Sequence, residues 1–185
     1  MRFARFGVTL ERLQAKHLEL VRQWRNSDLV LPNMRFREII PPAAQIRWFE
    51  SLDLKANWYF VAYIGEVPFA LFHIRDIDWA KKLGEAGGFV GDRGFVARPD
   101  AARATLALMD FGFFVLQLEW LQAHYHPQLS RIALFNQQLG YQVERLEPDG
   151  FACVSVSADR YFQCAATFRA AALGYFHLQR LIGTC

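Results

Sequence analysis

Residues 84–141 constrain the fold of this chain more than any other stretch. Read in order, they give a strand at 85–90, a loop at 91–101 closing on Arg98-Pro99-Asp100, and a helix over 102–117. A strand at 120–125, a second helix over 127–139 and a closing Leu139-Gly140-Tyr141 step follow without a break. A loop that feeds a helix N-terminus between two strands is a common place to hold an anionic ligand, because backbone N–H groups and the positive end of the helix dipole meet there.

The rest of the chain supplies a sheet around this unit. Residues 6–13 alternate as a strand, with Val8 and Leu10 on one face. Leu18, Val21 and Trp24 then recur at helical spacing, which predicts a helix over 15–26. The segment 29–42, bounded by Pro32 and the Pro41-Pro42 pair, is expected as loop with a short helical piece, and a helix follows over 43–52. Residues 58–64 and 67–77 flank Gly65-Glu66 as a hairpin, and Pro68 early in the return strand implies an edge or a bulge. A polar connection at 79–83 leads into the central unit. After it come a strand at 142–146, a Glu147-Pro148-Asp149-Gly150 turn and a strand at 151–157. Residues 158–185 read as helical with a break at Gly174, their apolar side made by Phe162, Ala166, Leu173, Phe176, Leu178 and Leu181. The expected class is α/β (α+β): a mixed, mostly antiparallel sheet with helices on both faces, in one domain over 1–185 with its core at about 6–157 and a helical tail at 158–185.

Composition narrows the function. Apolar residues make up 53% of the chain and aromatics 15%, which suits a real core and excludes a disordered chain. The net charge of +3 comes from scattered basic residues without a stripe, so nucleic acid is not expected as the partner. Cys153, Cys164 and Cys185 have no short spacing and no His, Asp or Glu cluster has metal-ligand spacing, so neither disulfides nor a metal is expected. Met1-Arg2-Phe3-Ala4-Arg5 is not followed by an apolar signal core, and no window approaches a membrane span. The chain is expected to be soluble and cytoplasmic.

Several local features, taken in order, resemble one family. Trp24-Arg25-Asn26-Ser27 ends the first helix, and Gln45 with Trp48-Phe49-Glu50-Ser51-Leu52 follows. Met109-Asp110-Phe111-Gly112-Phe113, with Leu116 and Leu118, and Leu139-Gly140-Tyr141 come later. Their order and spacing over about 6–157 resemble the GNAT acetyltransferases, most closely the subgroup of the pseudaminic acid biosynthesis and ribosomal-protein N-terminal acetyltransferases. The resemblance implies transfer of an acetyl group from acetyl-CoA to a primary amine, such as that of an amino sugar. It assigns the acetyl-CoA to Phe89, Val90, Val96, Arg98, Ala101, Ala102, Arg103 and Ala104, and the amine substrate to Trp24, Arg25, Asn26 and Met34. The sequence also departs from the family. No glycine lies between Gly94 and Gly112, and Pro99, which has no N–H, stands where the family's phosphate-binding glycines fall. Asn136 occupies the place of the tyrosine that protonates the leaving thiolate, and Leu129 that of a conserved-type asparagine at the helix start.

Individual residues keep two readings. His124 and His126 share a strand face, as a base for the amine or as a solvent-exposed pair. Glu85 is either a base acting through water or a surface carboxylate. Trp24, Trp48 and Phe49 serve as core or as a ligand platform, and Arg25 and Asn26 as a helix end or as substrate contacts. Phe111, Phe113 and Phe114 line an acyl pocket or fill a buried helix face. Cys153 reads as a small buried residue, and the tail helix covers the sheet, closes a pocket or pairs two subunits in a homodimer. At the level of function the alternatives are an acyl-CoA N-acyltransferase and a binding or regulatory module of the same fold that has lost CoA.

Overall fold

The computed structural model describes residues 1–96 and 98–182, and side chains as far as residue 174. Its frame is one eight-stranded sheet: β1 (Arg2–Arg5), β2 (Val8–Arg12), β3 (Trp58–Ile64), β4 (Val67–Asp78), β5 (Leu83–Val90), β6 (Trp120–Tyr125), β7 (Gln142–Leu146) and β8 (Ala152–Ser157), in the spatial order β1-β2-β3-β4-β5-β6-β8-β7. Every neighbouring pair is antiparallel except β5 and β6, which run parallel. The helices are α1 (Leu18–Arg25), α2 (Pro42–Glu50), α3 (Asp100–Asp110), α4 (Ser130–Gln138), α5 (Ala158–Cys164) and α6 (Ala166–Ile182).

The expected fold class holds, with local corrections. The strand expected at 6–13 is present as β2, but it is the second arm of a hairpin with β1, because Phe6 and Gly7 both take positive φ (53° and 74°) and reverse the chain. Two successive left-handed residues make the turn that matches the right-handed twist of paired strands. Pro68 sits on β4 two residues before the pairing with β5 begins at Ala70, so on that side it has no strand partner. The pairing with β3 slips between Ala62 and Tyr63, opposite it, and the bulge accommodates the missing N–H. The long helix expected to run to 117 ends its regular turns at Asp110 and widens into one π-helical turn over Phe111–Val115. The tail breaks at Ala165 rather than at Gly174, through which α6 runs on. Phe176, Leu178, Leu181 and Cys185 lie outside the residues whose side chains are described.

Period-two alternation divides the sheet's side chains between two unlike faces. One face is apolar across its middle: Leu10, Phe60, Phe72, Ile74, Ala86, Leu121, Val154 and Val156 meet Leu106, Met109 and Phe111 of the central helix and Tyr161 of α5. The tail therefore covers the core, and Ala165 and Ala172 are buried in the same cluster. The other face is apolar only under α1 and α2, where Leu18, Val21 and Trp24 pack on Tyr59, Val61 and Leu71.

A buried ion cluster ties the tail to the sheet. Asp110, wholly buried at the end of α3, accepts from the guanidinium groups of Arg5 and Arg169 and from the Tyr161 hydroxyl at 3.1 Å. Burial draws the Arg169 guanidinium below its ordinary pKa and pushes the Tyr161 phenol up, so the phenol stays a neutral donor. One carboxylate thereby collects donors from β1, α5 and α6.

Candidate functional site

The parallel pair is short. β5 pairs with β6 only at Leu83, Gly84 and Glu85, whereas it pairs with β4 along its length, as far as Ala70 opposite Val90. β6 stays with β8 out to Tyr125 opposite Ala152. The two strands diverge beyond Glu85, and among the described residues no strand pairs with β5 over 86–90 on that side. A stretch of backbone donors and acceptors thus faces a wedge-shaped gap. Such groups need partners, and an extended ligand is one way to supply them.

A polar row crosses the second sheet face at the vertex of this gap. Arg75 of β4 donates to Glu85 Oε1 at 2.6 Å, leaving Glu85 Oε2 3.6 Å from Nδ1 of His124. His124 Nε2 lies 3.3 Å from Glu147 Oε1, and Gln122 donates to Cys153 Sγ at 2.8 Å. Arg35, reaching in from the loop before α2, and Arg145 both pair with Glu147 and hold its carboxyl below the ordinary range. Burial pushes the Cys153 thiol up, so it rests as a neutral thiol. Next to the row, the His73 ring lies over the Gly87 backbone, where a Cβ would come within 2.8 Å of Nε2. Desolvation, aided by Arg75, draws the His73 imidazole down to about 4, so it is neutral at physiological pH.

Past Val90 the chain turns toward the start of α3. A short 3-10 turn, Arg93–Phe95, follows β5, and Pro99 stands directly before α3. Asp100, fully buried in the first turn of α3, occupies the positive end of the helix. Arg98 donates to it at 2.5 Å, and Arg103 bonds both it and the Phe6 carbonyl. Trp24 lies flat on Gly91, where an added Cβ would meet its ring at 2.1 Å. Only a glycine lets the indole approach the backbone this closely.

The residues singled out from sequence fall into three groups. Glu85 and His124 come together at the vertex. His126 does not join them: its ring packs edge-on against Phe151, 5.5 Å away, and accepts from the Gln128 amide. Phe89 lies on β5 with its side chain against Leu71 and its neighbours, and Val90 points to the opposite, apolar face. Val96 is exposed, Ala101 and Ala102 are half-buried at the start of α3, and Arg103 and Ala104 turn inward. Asn136 is half-buried on α4, its carbonyl accepting the amides of Leu139 and Tyr141, and Leu129 precedes the first residue of that helix without a side-chain cap. Trp24 is core. Asn26 bonds both backbone groups of Ile40, and Arg25 donates to the Phe36 carbonyl, so both hold the loop over 34–41 against α1. Met34 accepts from Arg37 through its carbonyl in that loop. Arg75, Gln122 and Arg35 have no counterpart in the sequence reading, which took Glu147 only as a turn residue. His73 and Gln122 alternate on strands and were open to the argument applied to His124, whereas Arg35 and Glu147 meet through a contact 112 residues apart.

The architecture has known counterparts. The spermidine N-acetyltransferase of Vibrio cholerae, in a structure with CoA and spermine, superposes with a TM-score of 0.75 at 13% identity, over 85% of this chain and 99% of that one. This chain has the GNAT fold. Apo FdhC, a nucleotide-linked sugar GNAT, gives 0.76 at 15% identity over 91% and 96% of the two chains. An uncharacterized protein from Bacillus halodurans gives 0.75 at 13% identity over 93% and 97%. No protein-family model matches the sequence, and no curated protein matches it. At these identities the likeness establishes the fold. Among the described residues no helix is long and apolar enough to cross a membrane.

Proposed function

We propose that the chain is an N-acyltransferase that moves an acetyl group from acetyl-CoA to a primary amine of a small molecule, an amino sugar being the substrate class that its sequence motifs favour. The observation that carries the reading is the gap between β5 and β6 with Glu85 at its vertex. A thioester arm laid along residues 86–90 adds to the sheet edge, and backbone N–H groups there stabilise the carbonyl oxygen as it gains charge. The amine nitrogen attacks the carbonyl carbon, the new C–N bond forms, and the C–S bond breaks to release the thiolate. Glu85, fixed by Arg75, takes the ammonium proton directly or through a water, and His124 stands behind it on the side away from Arg75. Asn136 is not a proton donor to the thiolate, whose proton comes from solvent in this scheme. The two named neighbours, one bound to CoA and a polyamine and one a sugar GNAT, support an amine acceptor without choosing it.

One observation favours a second reading, a binding module of this fold without CoA chemistry. The nucleotide end of the site does not fit a diphosphate as it stands, because Asp100 fills the helix terminus and engages both nearby arginines. Thermal-shift titration separates the two. Under the acyltransferase reading both acetyl-CoA and S-acetylpantetheine, which lacks the diphosphate, raise the melting temperature, and amines release free thiol from the enzyme–donor mixture. Glu85→Gln then lowers kcat by about 100-fold with donor affinity kept. No shift with either donor at millimolar concentration sinks the acyltransferase reading.

A further inference from the structure

We propose that His124, Glu147 and Cys153 form a binding site for one borderline-soft divalent cation of the Zn²⁺ class. The imidazole, carboxylate and thiol of these residues place their donor atoms within 4.8 Å of one another. Linear spacing hides this group, since 29 residues separate the His124–Cys153 cross-strand pair. Zn²⁺ takes S, N and O donors at about 2.0–2.3 Å, and three protein ligands with one open position are a common arrangement for it.

Four features argue for a site rather than a chance meeting. The donors sit on a rigid base: His124 and Cys153 are direct partners on β6 and β8, and Glu147 is locked one residue beyond β7 by its backbone bond to the Phe151 carbonyl at 2.7 Å. The donors are also sheltered, with side-chain exposures of 13% for His124 and 17% for Glu147 and a fully buried Cys153. His124 Nδ1 is buried without a hydrogen bond and faces Glu85 at 3.6 Å. A proton on Nδ1 turns the Nε2 lone pair toward Glu147 and Cys153, as in the carboxylate–histidine–metal arrangements that orient ligating imidazoles. Finally, the Gln122 amide nitrogen lies 2.8 Å from Cys153 Sγ and 3.4 Å from His124 Nε2, so the positive end of a dipole already stands where both donors point.

Charge balance is satisfied. Binding releases the thiol proton, and a dication with one thiolate and one carboxylate is neutral. Arg35 remains balanced by Asp149, whose carboxylate lies 3.1 Å from its Nε, while Arg145, more than half exposed, is free to swing off Glu147 into solvent. The cation binds through Nε2 and leaves Nδ1 facing Glu85, so this site stands whether or not the chain transfers acyl groups.

The test is a Co²⁺ titration of the reduced, metal-free full chain without a polyhistidine tag, in a Cys164→Ser, Cys185→Ser background. One equivalent of Co²⁺ is expected to give a thiolate-to-cobalt charge-transfer band and intense tetrahedral d–d bands, both displaced by Zn²⁺. His124→Ala and Glu147→Gln are expected to weaken binding at least tenfold and Arg145→Ala to tighten it, while Cys153→Ser abolishes the charge-transfer band. Absence of that band in the folded parent overturns the proposal whatever the variants do, and so does a band that survives Cys153→Ser.

Discussion

At its N-terminal end helix α3 holds Asp100, and at its C-terminal end it holds Asp110. Both aspartates are fully buried and each is bonded to two arginines, yet their partners come from different distances along the chain. Arg98 and Arg103 lie within three residues of Asp100, so that cluster assembles with the helix itself, and the helix dipole favours the charge. Arg5, Tyr161 and Arg169 reach Asp110 from 105, 51 and 59 residues away, and there, with helical turns running on to Val115, no free helix N-terminus helps to hold the carboxylate. One aspartate is a local plug in a terminus that other anions seek. The other is a clamp that exists only when the whole fold does.

The contrast is open to test from its strongest side downward. Replacing Asp110 with Ala strands two guanidinium groups and is expected to cost about 3–5 kcal/mol in urea unfolding. An equal loss on replacing Asp100 would erase the distinction between clamp and plug. Asp100→Ala is expected to lose less, about 1–3 kcal/mol, because Arg98 is half exposed and can rehydrate. The same variant should gain thermal protection from inorganic pyrophosphate that the parent lacks. No gain would mean that the terminus is closed by Pro99 and packing rather than by the carboxylate. Tyr161→Phe removes one 3.1 Å donor from the clamp and should cost about 1 kcal/mol, with the loss confined to stability and no change in ligand binding. Arg98→Ala sits at the bottom, at about 0.5 kcal/mol and falling further at high salt, since its ion pair is only half shielded. A larger effect would show that the plug is held from outside.

Most of the frame was legible because it rests on local signals. Strands at 58–64, 120–125 and 142–146 coincide with β3, β6 and β7; β3 is rich in aromatic and β-branched residues, and β7 is marked off by Gly140 before it and the Glu147–Gly150 turn after it. The first hairpin was hidden because Phe6, an apolar residue buried to 2% exposure, adopts a φ that usually signals glycine or asparagine. The wide turn over Phe111–Val115 has only a weak sequence marker in Gly112, a poor residue for a helix interior that does not by itself specify a π turn. At the candidate site, alternation along one strand was enough to draw attention to His124, and a place at the start of the neighbouring strand to Glu85. Their neighbours Arg35, Glu147 and Cys153 arrive from other elements, and period alone does not reveal which strands will be adjacent. Arg98 and Arg103 show how a local partner can be overlooked. They read as ligands for phosphate, but Asp100 between them takes both, and its spacing of three from Arg103 on a helix was the available sign.

The shortness of the β5–β6 pairing also bears on how the chain is made. Residues 2–90 and 120–157 form two antiparallel ribbons that meet through three residue pairs. In a chain that emerges N-terminus first, the leading ribbon is complete before the strand that will flank it has been synthesised, and its last edge waits unpaired. An exposed edge invites the wrong neighbour. Here the waiting strand is rich in glycine, at Gly84, Gly87 and Gly88, and so offers few side chains for another chain to grip. The same seam should exchange its amides ahead of the longer β3–β4 and β6–β8 ladders on either side of it, along a line that passes through the vertex residue Glu85.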